Sequence, residues 1–310
     1  MKHDARKTFA QQLKKEALTH PKLMVLTTDS RGSTAMSDFF ADMPERFVEM
    51  GIAEQDAVGV AAGLALTGKT PFVCGPACFL MMRSQEQVKV DVAYSNTNVK
   101  IIGVSSGISY GVLGATHHAL GDFAAARAMP GMMILAPSDG WQAAKMAGFL
   151  ADYNGPAYLR MGRGDTEDIY GENDDCFTPG KMNVFGKGEV VIAATGEMVR
   201  PALDAQKLLE TQGLAVCVLD VHTLRPFDAQ TLLEVSKEAK LVVSVEEHYL
   251  SGGLGDAVSL ALEEAALVKP RLRLGFPDAY APCLTPAKLK AHYQLDAEGI
   301  AASVKARLGL

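Results

Sequence analysis

Two tandem α/β domains, each built on an open sheet, are the fold class that this 310-residue sequence predicts. Three observations carry it. Short apolar runs rich in β-branched residues alternate with longer helix-like stretches, the pattern of a mainly parallel sheet with crossover helices. The alternation comes in two separate series. Between them lies a stretch where periodicity fails and glycine and acidic residues gather.

The first series places strands at 23–28, 71–74, 99–105, 132–136 and 157–160, with helices at 55–67, 84–94, 119–129 and 139–152. From 164 to 187 the string GDTEDIYGENDD marks an exposed connection. The second series places strands at 190–194, 215–220, 241–245 and 271–275, and helices at 199–212, 228–239 and 254–266. The expected domains are therefore 1–165 and 188–310, joined by a linker at 166–187.

Composition narrows the class of ligand. The chain is 48% hydrophobic and 21% charged, with a net charge of -6, so it has no general attraction for nucleic acid or an anionic membrane surface. An anionic substrate would need a local basic site. The polar first dozen residues lack the apolar core of a signal peptide, and no apolar run approaches the roughly 20 residues that cross a bilayer, so a cytoplasmic protein is expected. Five cysteines without a framework spacing suit reduced thiols. Cys74 and Cys78 lie four apart, but no second Cys or His pair completes a metal site, which leaves them a buried structural role.

Open parallel sheets bind ligands beyond the carboxyl ends of their strands. Polar residues just after the predicted strands are therefore the candidates. Glu54 follows a turn at Gly51 and opens a helix that is apolar nearly all round, AVGVAAGLAL. It either caps that helix or serves as a desolvated acid able to exchange a proton. His117 and His118 follow a glycine-rich stretch; in an extended segment one faces a cleft while the other packs inward. Arg160 and Arg163 end the last strand of the first series, where they either bind an anion or pair with the acidic linker.

Two further strings suggest other chemistry. GISYG at 107–111 matches the nucleophile elbow of an esterase through Ser109, although a second glycine and no immediate helix follow it. GGLGDA at 252–257 lacks the spacing of a dinucleotide loop and reads as a tight turn into a helix.

Six strings in order carry a family resemblance: RFVEMGIAEQDAVGVAAGLALTGKTPFV, CFLMMRSQEQV, GATHHALGDFAAARAMPGMMILAPSD, GPAYLRMGRG, LDVHTLRPFD and VEEHYLSGGLGDAV. Nearly the whole chain resembles the pyrimidine-binding domain and the C-terminal domain of transketolase. The resemblance implies dependence on thiamine diphosphate, with Glu54 bonding ring nitrogen N1′ of the aminopyrimidine so that the imino form removes the C2 proton. It makes Phe79 the aromatic that stacks on that ring and Asp29 a neighbour of the cofactor. It further implies that His117 contacts substrate hydroxyls with His118 beside it, and that Arg163 and Ser33 bind a substrate phosphate.

Two departures from the family pattern shape the expectation. The G-D-G and downstream asparagine that hold Mg2+ and the diphosphate are missing, so no metal ligand is assigned here and those ligands are expected on a separate N-terminal subunit. The expected assembly is an α2β2-type transketolase that moves a two-carbon ketol unit between sugar phosphates. Within the same fold the rivals are the β-subunit of a 2-oxo acid dehydrogenase and a deoxyxylulose-phosphate-synthase-like enzyme. A regulatory subunit that keeps the fold without using Glu54 is a further alternative.

The second departure is Leu113, which stands where the family carries an aspartate that reads a substrate hydroxyl. Leucine accepts no hydrogen bond, so a hydroxyl directed at it is desolvated at a cost of roughly 1–3 kcal/mol. Standard pentose phosphates should therefore be poor substrates, and analogues that lack, invert or branch at that hydroxyl should be better. Comparing kcat/KM for xylulose 5-phosphate plus ribose 5-phosphate with such analogues, in wild type and Leu113→Asp, checks this. Full activity on the standard pair in the wild type contradicts it.

Overall fold

The computed structural model describes residues 1–310. Its strands are, in order, β1 (Lys2–Asp4), β2 (Leu23–Thr27), β3 (Phe47–Glu49), β4 (Thr70–Pro76), β5 (Lys100–Val104), β6 (Met133–Leu135), β7 (Ala157–Arg160), β8 (Asp165–Glu167), β9 (Asn183–Phe185), β10 (Val190–Ala194), β11 (Val216–Asp220), β12 (Thr223–Arg225), β13 (Leu241–Tyr249) and β14 (Arg271–Phe276). Seven of them form a first sheet in the order β12-β6-β7-β5-β4-β2-β3, and five a second in the order β14-β13-β10-β11-β9. Every pairing is parallel except those of the edge strands β12 and β9, and of β1 with β8.

Side-chain alternation along the strands sorts the layers. Leu23 and Val25 of β2, Phe72 of β4, Ile102 of β5 and Leu159 of β7 face one core with the helices Ala5–Thr19 and Gly140–Asp152. Leu26, Val73, Ile101 and Tyr158 face the other, against the helix Glu54–Leu66. This second core continues into the second sheet through Val191, Leu219, Val242 and the helix Leu254–Glu264. Ile108 and Leu120, from the loop after β5, are buried in the remaining core of the second domain. The two domains thus share hydrophobic layers and are not beads on a string.

The stretch expected to be an exposed linker, 166–187, is more ordered than its composition suggests. β8 pairs with β1, and β9 joins the second sheet. Asp139, which caps the helix Gly140–Asp152, also accepts the amides of Ile169 and Tyr170. Buried acceptors satisfy these backbone donors, which a reading of hydropathy cannot anticipate. The helix Ala5–Thr19 is likewise absent from the expected elements. Its buried apolar stripe is Phe9, Ala10, Leu13 and Ala17, short and set in an otherwise polar helix.

A buried polar network joins the domains. Arg160, at the end of β7, is 4% exposed, and its Nε donates to Asp122 Oδ2 at 2.8 Å while Nη2 donates to the carbonyl of Glu247 at 2.6 Å. Tyr158 donates to the same Asp122 oxygen at 2.6 Å. Arg160 is therefore committed, and neither an anion nor the acidic linker can claim it. Replacing it alone should be costly, because it removes the ion-pair partner of the fully buried Asp122. Arg160→Met is expected to lose about 3–5 kcal/mol of stability, and the double change Arg160→Met with Asp122→Asn to recover part of that. Urea unfolding of the three proteins measures both; an unchanged midpoint for Arg160→Met contradicts the assignment.

Candidate active site

The carboxyl ends of β3, β4, β5 and β7 deliver the candidate residues to one edge of the first sheet. Glu54 is the first residue of its helix, three positions after a turn through Gly51, whose φ of 69° suits glycine. Its side chain is 2% exposed, and its Oε2 accepts a hydrogen bond from Arg83 Nη1 at 2.7 Å. Arg83 comes from the segment after β4. Its guanidinium lies 4.5 Å from the ring centre of Phe79, four residues earlier. The arginine supplies the counter-charge that a buried carboxylate requires.

The loop after β5 is pinned from the second domain. Gly107 has φ 57°, and a Cβ there would fall 2.3 Å from Glu247 Oε1, so this approach requires glycine. The same oxygen accepts the amide of Ile108 at 2.7 Å, and Lys290 Nζ stands 3.2 Å from Glu247 Oε2. Further along, Gly111 packs against Leu284 and Pro286. So anchored, the loop sets the His117 ring 5.3 Å from Phe79 and 5.5 Å from Tyr110, centre to centre. Arg163 lies 5.5 Å from the Tyr110 ring centre and forms no ion pair. Arg83, Phe79, His117, Tyr110 and Arg163 thus form one continuous row, three rings between two cations.

Beyond Arg163 a cleft of about 350 Å³ opens between the domains, lined by Ser109, Glu197, Arg200, Glu247 and Lys290 among others. Burial, with the Glu247 carboxylate adding to it, holds the Glu197 carboxyl up to about 7 even though Lys290 is near. Arg163, Arg200 and Lys290 line it together with Glu167, Glu197, Asp204 and Glu247, so the cleft carries charges of both signs.

Several expected residues lie elsewhere. His118 is turned inward, with Nε2 bonded to the carbonyl of Gly111 at 2.8 Å, so it shapes the loop instead of sharing the cleft with His117. Asp29 and Ser33 follow β2, but the Asp29 amide is held by Glu49 and the Ser33 carbonyl by Arg6; no contact joins either to the row of rings. Leu113 is 52% exposed in the single turn Gly111–Leu113, beside the loop that carries Leu284. Arg83 and Tyr110 are not among the residues that the sequence singled out. The spacing of Phe79 and Arg83, four residues apart, is the available signal for the first; nothing local marks the second.

The competing motifs resolve on geometry. Ser109 donates to the carbonyl of Ser106 at 2.7 Å, and no histidine bonds it, so the elbow has no base. In GGLGDA the amides of Leu254 and Gly255 donate to the carboxylate of Glu246, which fills the place an anionic ligand would take. Cys74 and Cys78 are buried free thiols, and burial pushes Cys78 up to about 12.

The carboxyl ends of the first sheet thus gather a buried glutamate, an aromatic ring under an arginine, a loop histidine and an arginine without an ion pair. The family follows from comparison with known proteins: residues 1–168 match the pyrimidine binding domain of transketolase and residues 180–300 its C-terminal domain, so the chain belongs to the transketolase family. Thiamine-diphosphate dependence comes with that family.

Among its relatives is a subunit of the apulose-4-phosphate transketolase of Phocaeicola vulgatus, 46% identical over 297 residues that cover 95% of this chain and 94% of that protein. A 1-deoxy-D-xylulose-5-phosphate synthase of Magnetococcus marinus is 36% identical over 98% of this chain but only 49% of its own length. The solved structure of a split gene transketolase, described as an inactive beta4 tetramer, superposes with a TM-score of 0.91 at 36% identity and 99% coverage of both chains. No helix is long and apolar enough to cross a membrane.

Glu246 supplies a pH test of this architecture. Burial lifts its carboxyl from 4.5 to about 7. A group whose folded value is raised contributes stability fully present below its unfolded value and lost as pH rises through the folded one. Glu246→Gln should therefore flatten the pH dependence of the urea midpoint between about 4.5 and 7. A wild-type slope retained in the variant contradicts this.

Proposed function

We propose that this chain is the pyrimidine-side subunit of a split transketolase, which moves a two-carbon ketol unit between sugar phosphates. The observation that carries the reading is the Glu54 carboxylate, buried at the start of its helix with one oxygen on Arg83, whose guanidinium lies over the half-buried ring of Phe79, and the other oxygen in no hydrogen bond. A free acceptor next to an aromatic face fits a flat, polar aminopyrimidine. In this reading Glu54 holds the proton at the ring nitrogen and Phe79 fixes the tilt of the ring. When bound, thiamine diphosphate supplies the nucleophilic thiazolium carbon and the electron sink that hold the two-carbon unit.

The remaining residues act on substrate. His117 meets its hydroxyls near the ring, and Arg163, at the far end of the row, takes the phosphate, where a fork of donors suits a tetrahedral anion. Mg2+ and the diphosphate fall to the partner subunit, in an α2β2 arrangement with the site between chains. The exposed apolar side chains Ile52 and Met82, next to Glu54 and Arg83 along the chain, support a covering partner. The relative named for apulose 4-phosphate makes that sugar the first substrate to test.

The chain alone should show no ketol transfer, and mixing it with a G-D-G-bearing subunit, thiamine diphosphate and Mg2+ should restore activity. In the restored complex, Glu54→Ala should slow C2–H exchange of the bound cofactor, followed by NMR, by roughly 10²–10⁴-fold. Exchange at the wild-type rate removes Glu54 from the mechanism, and full activity of the chain alone removes the split site.

A further inference from the structure

Glu54 does not stand alone in the molecule. A carboxylate that is 2% exposed needs a counter-charge, and Arg83 is the one cation that pairs with it. The pair is asymmetric. Arg83 takes only Oε2, at 2.7 Å, and Oε1 is left without a partner. The same guanidinium lies over Phe79, 4.5 Å from its ring centre, while its own side chain is 44% exposed. One planar group therefore touches the two side chains that a bound aminopyrimidine would meet. Lysine could supply the charge but neither the fork nor the stacking plane.

We propose that Arg83 is a positioning residue for cofactor activation: it anchors one carboxylate oxygen of Glu54 and one face of Phe79, and so presents the other oxygen in fixed register with the ring. This rests on the reading of Glu54 given above. Without Arg83, Glu54 has two equivalent oxygens, no counter-charge and a choice of rotamers, and Phe79 loses the group packed on its face. Cofactor affinity, which depends mainly on the diphosphate site of the partner, should change little. The rate at which the C2 proton leaves should change more.

The test uses Arg83→Gln, Arg83→Lys, Glu54→Gln and the double change Arg83→Gln with Glu54→Gln. In the chain alone, where no cofactor intervenes, Arg83→Gln should lower the urea midpoint, and the double change should recover part of the loss because no unpaired carboxylate remains buried. In the complex reconstituted with thiamine diphosphate and Mg2+, Arg83→Gln should slow C2–H exchange by about ten- to a hundredfold, with the cofactor dissociation constant moving less than about threefold, and Arg83→Lys should fall between. In the Glu54→Gln background the same arginine change should have almost no further effect, since it acts through Glu54.

Wild-type exchange in Arg83→Gln, or an equal slowing with and without Glu54, overturns the proposal. So does a cofactor dissociation constant that rises in step with the loss of exchange, which would make Arg83 a binding group. If Glu54→Gln itself exchanges at the wild-type rate, the reading of Glu54 has failed first, and the two failures are told apart.

Discussion

A guanidinium buried between two sheets is the constraint on which the rest of this molecule depends. Arg160 is 4% exposed, so its donors turn to acceptors within the protein, and those that Nε and Nη2 find come from three places. Asp122 opens the helix after the loop that carries His117, Ala119 closes that loop, and Glu247 belongs to β13 of the other domain. The ring of Phe123 covers its face at 4.4 Å. Satisfying one charge therefore fixes the loop, the end of β7 and the domain interface together. His117 and Arg163 inherit their places from it, because one lies on the loop just upstream of Ala119 and the other three residues after Arg160.

The electrostatics of the site follow the same logic at its surface. The chain carries six more acidic than basic side chains, yet Arg83, Arg163 and Lys290 converge on one edge and one cleft. Each is placed differently. Arg83 is held by a buried carboxylate, Lys290 by Glu247, and Arg163 only by the face of a tyrosine. An arginine without an ion pair in an otherwise acidic protein retains its full capacity to bind an anion, which is why the proposed phosphate site falls to Arg163 and not to Arg160.

How far the site could be read from the chain differs residue by residue. Phe79 stands just after a predicted strand, Glu54 follows a glycine turn and opens a predicted helix, and both lie in strings with a family resemblance; these marks led to them. Arg83 escaped notice because an arginine on a polar-looking turn is ordinary until it is known that a buried carboxylate faces it. His117 and His118 are adjacent, so the chain implied that they diverge but not which one turns inward. That choice is made by the carbonyl of Gly111, brought round by a glycine turn that itself packs on Leu284 and Pro286. The acidic connection looked unstructured for a similar reason: its strands pair with β1 and β11, partners far away in sequence.

What the sequence by itself determined is the local and the periodic: the alternation of apolar runs and helices, hence two open α/β sheets, and the strand ends at which chemistry belongs. Hydrophobic periodicity is a property of neighbours along the chain, and the principal strands needed nothing more. The tertiary structure alone decided the pairings between distant residues, with Arg83 on Glu54, Arg160 on Asp122 and Glu247, and Glu246 on its own glycine turn. Each is a charged or polar group taken out of water, whose partner is chosen by burial and distance in space, and neither quantity is written in the order of residues.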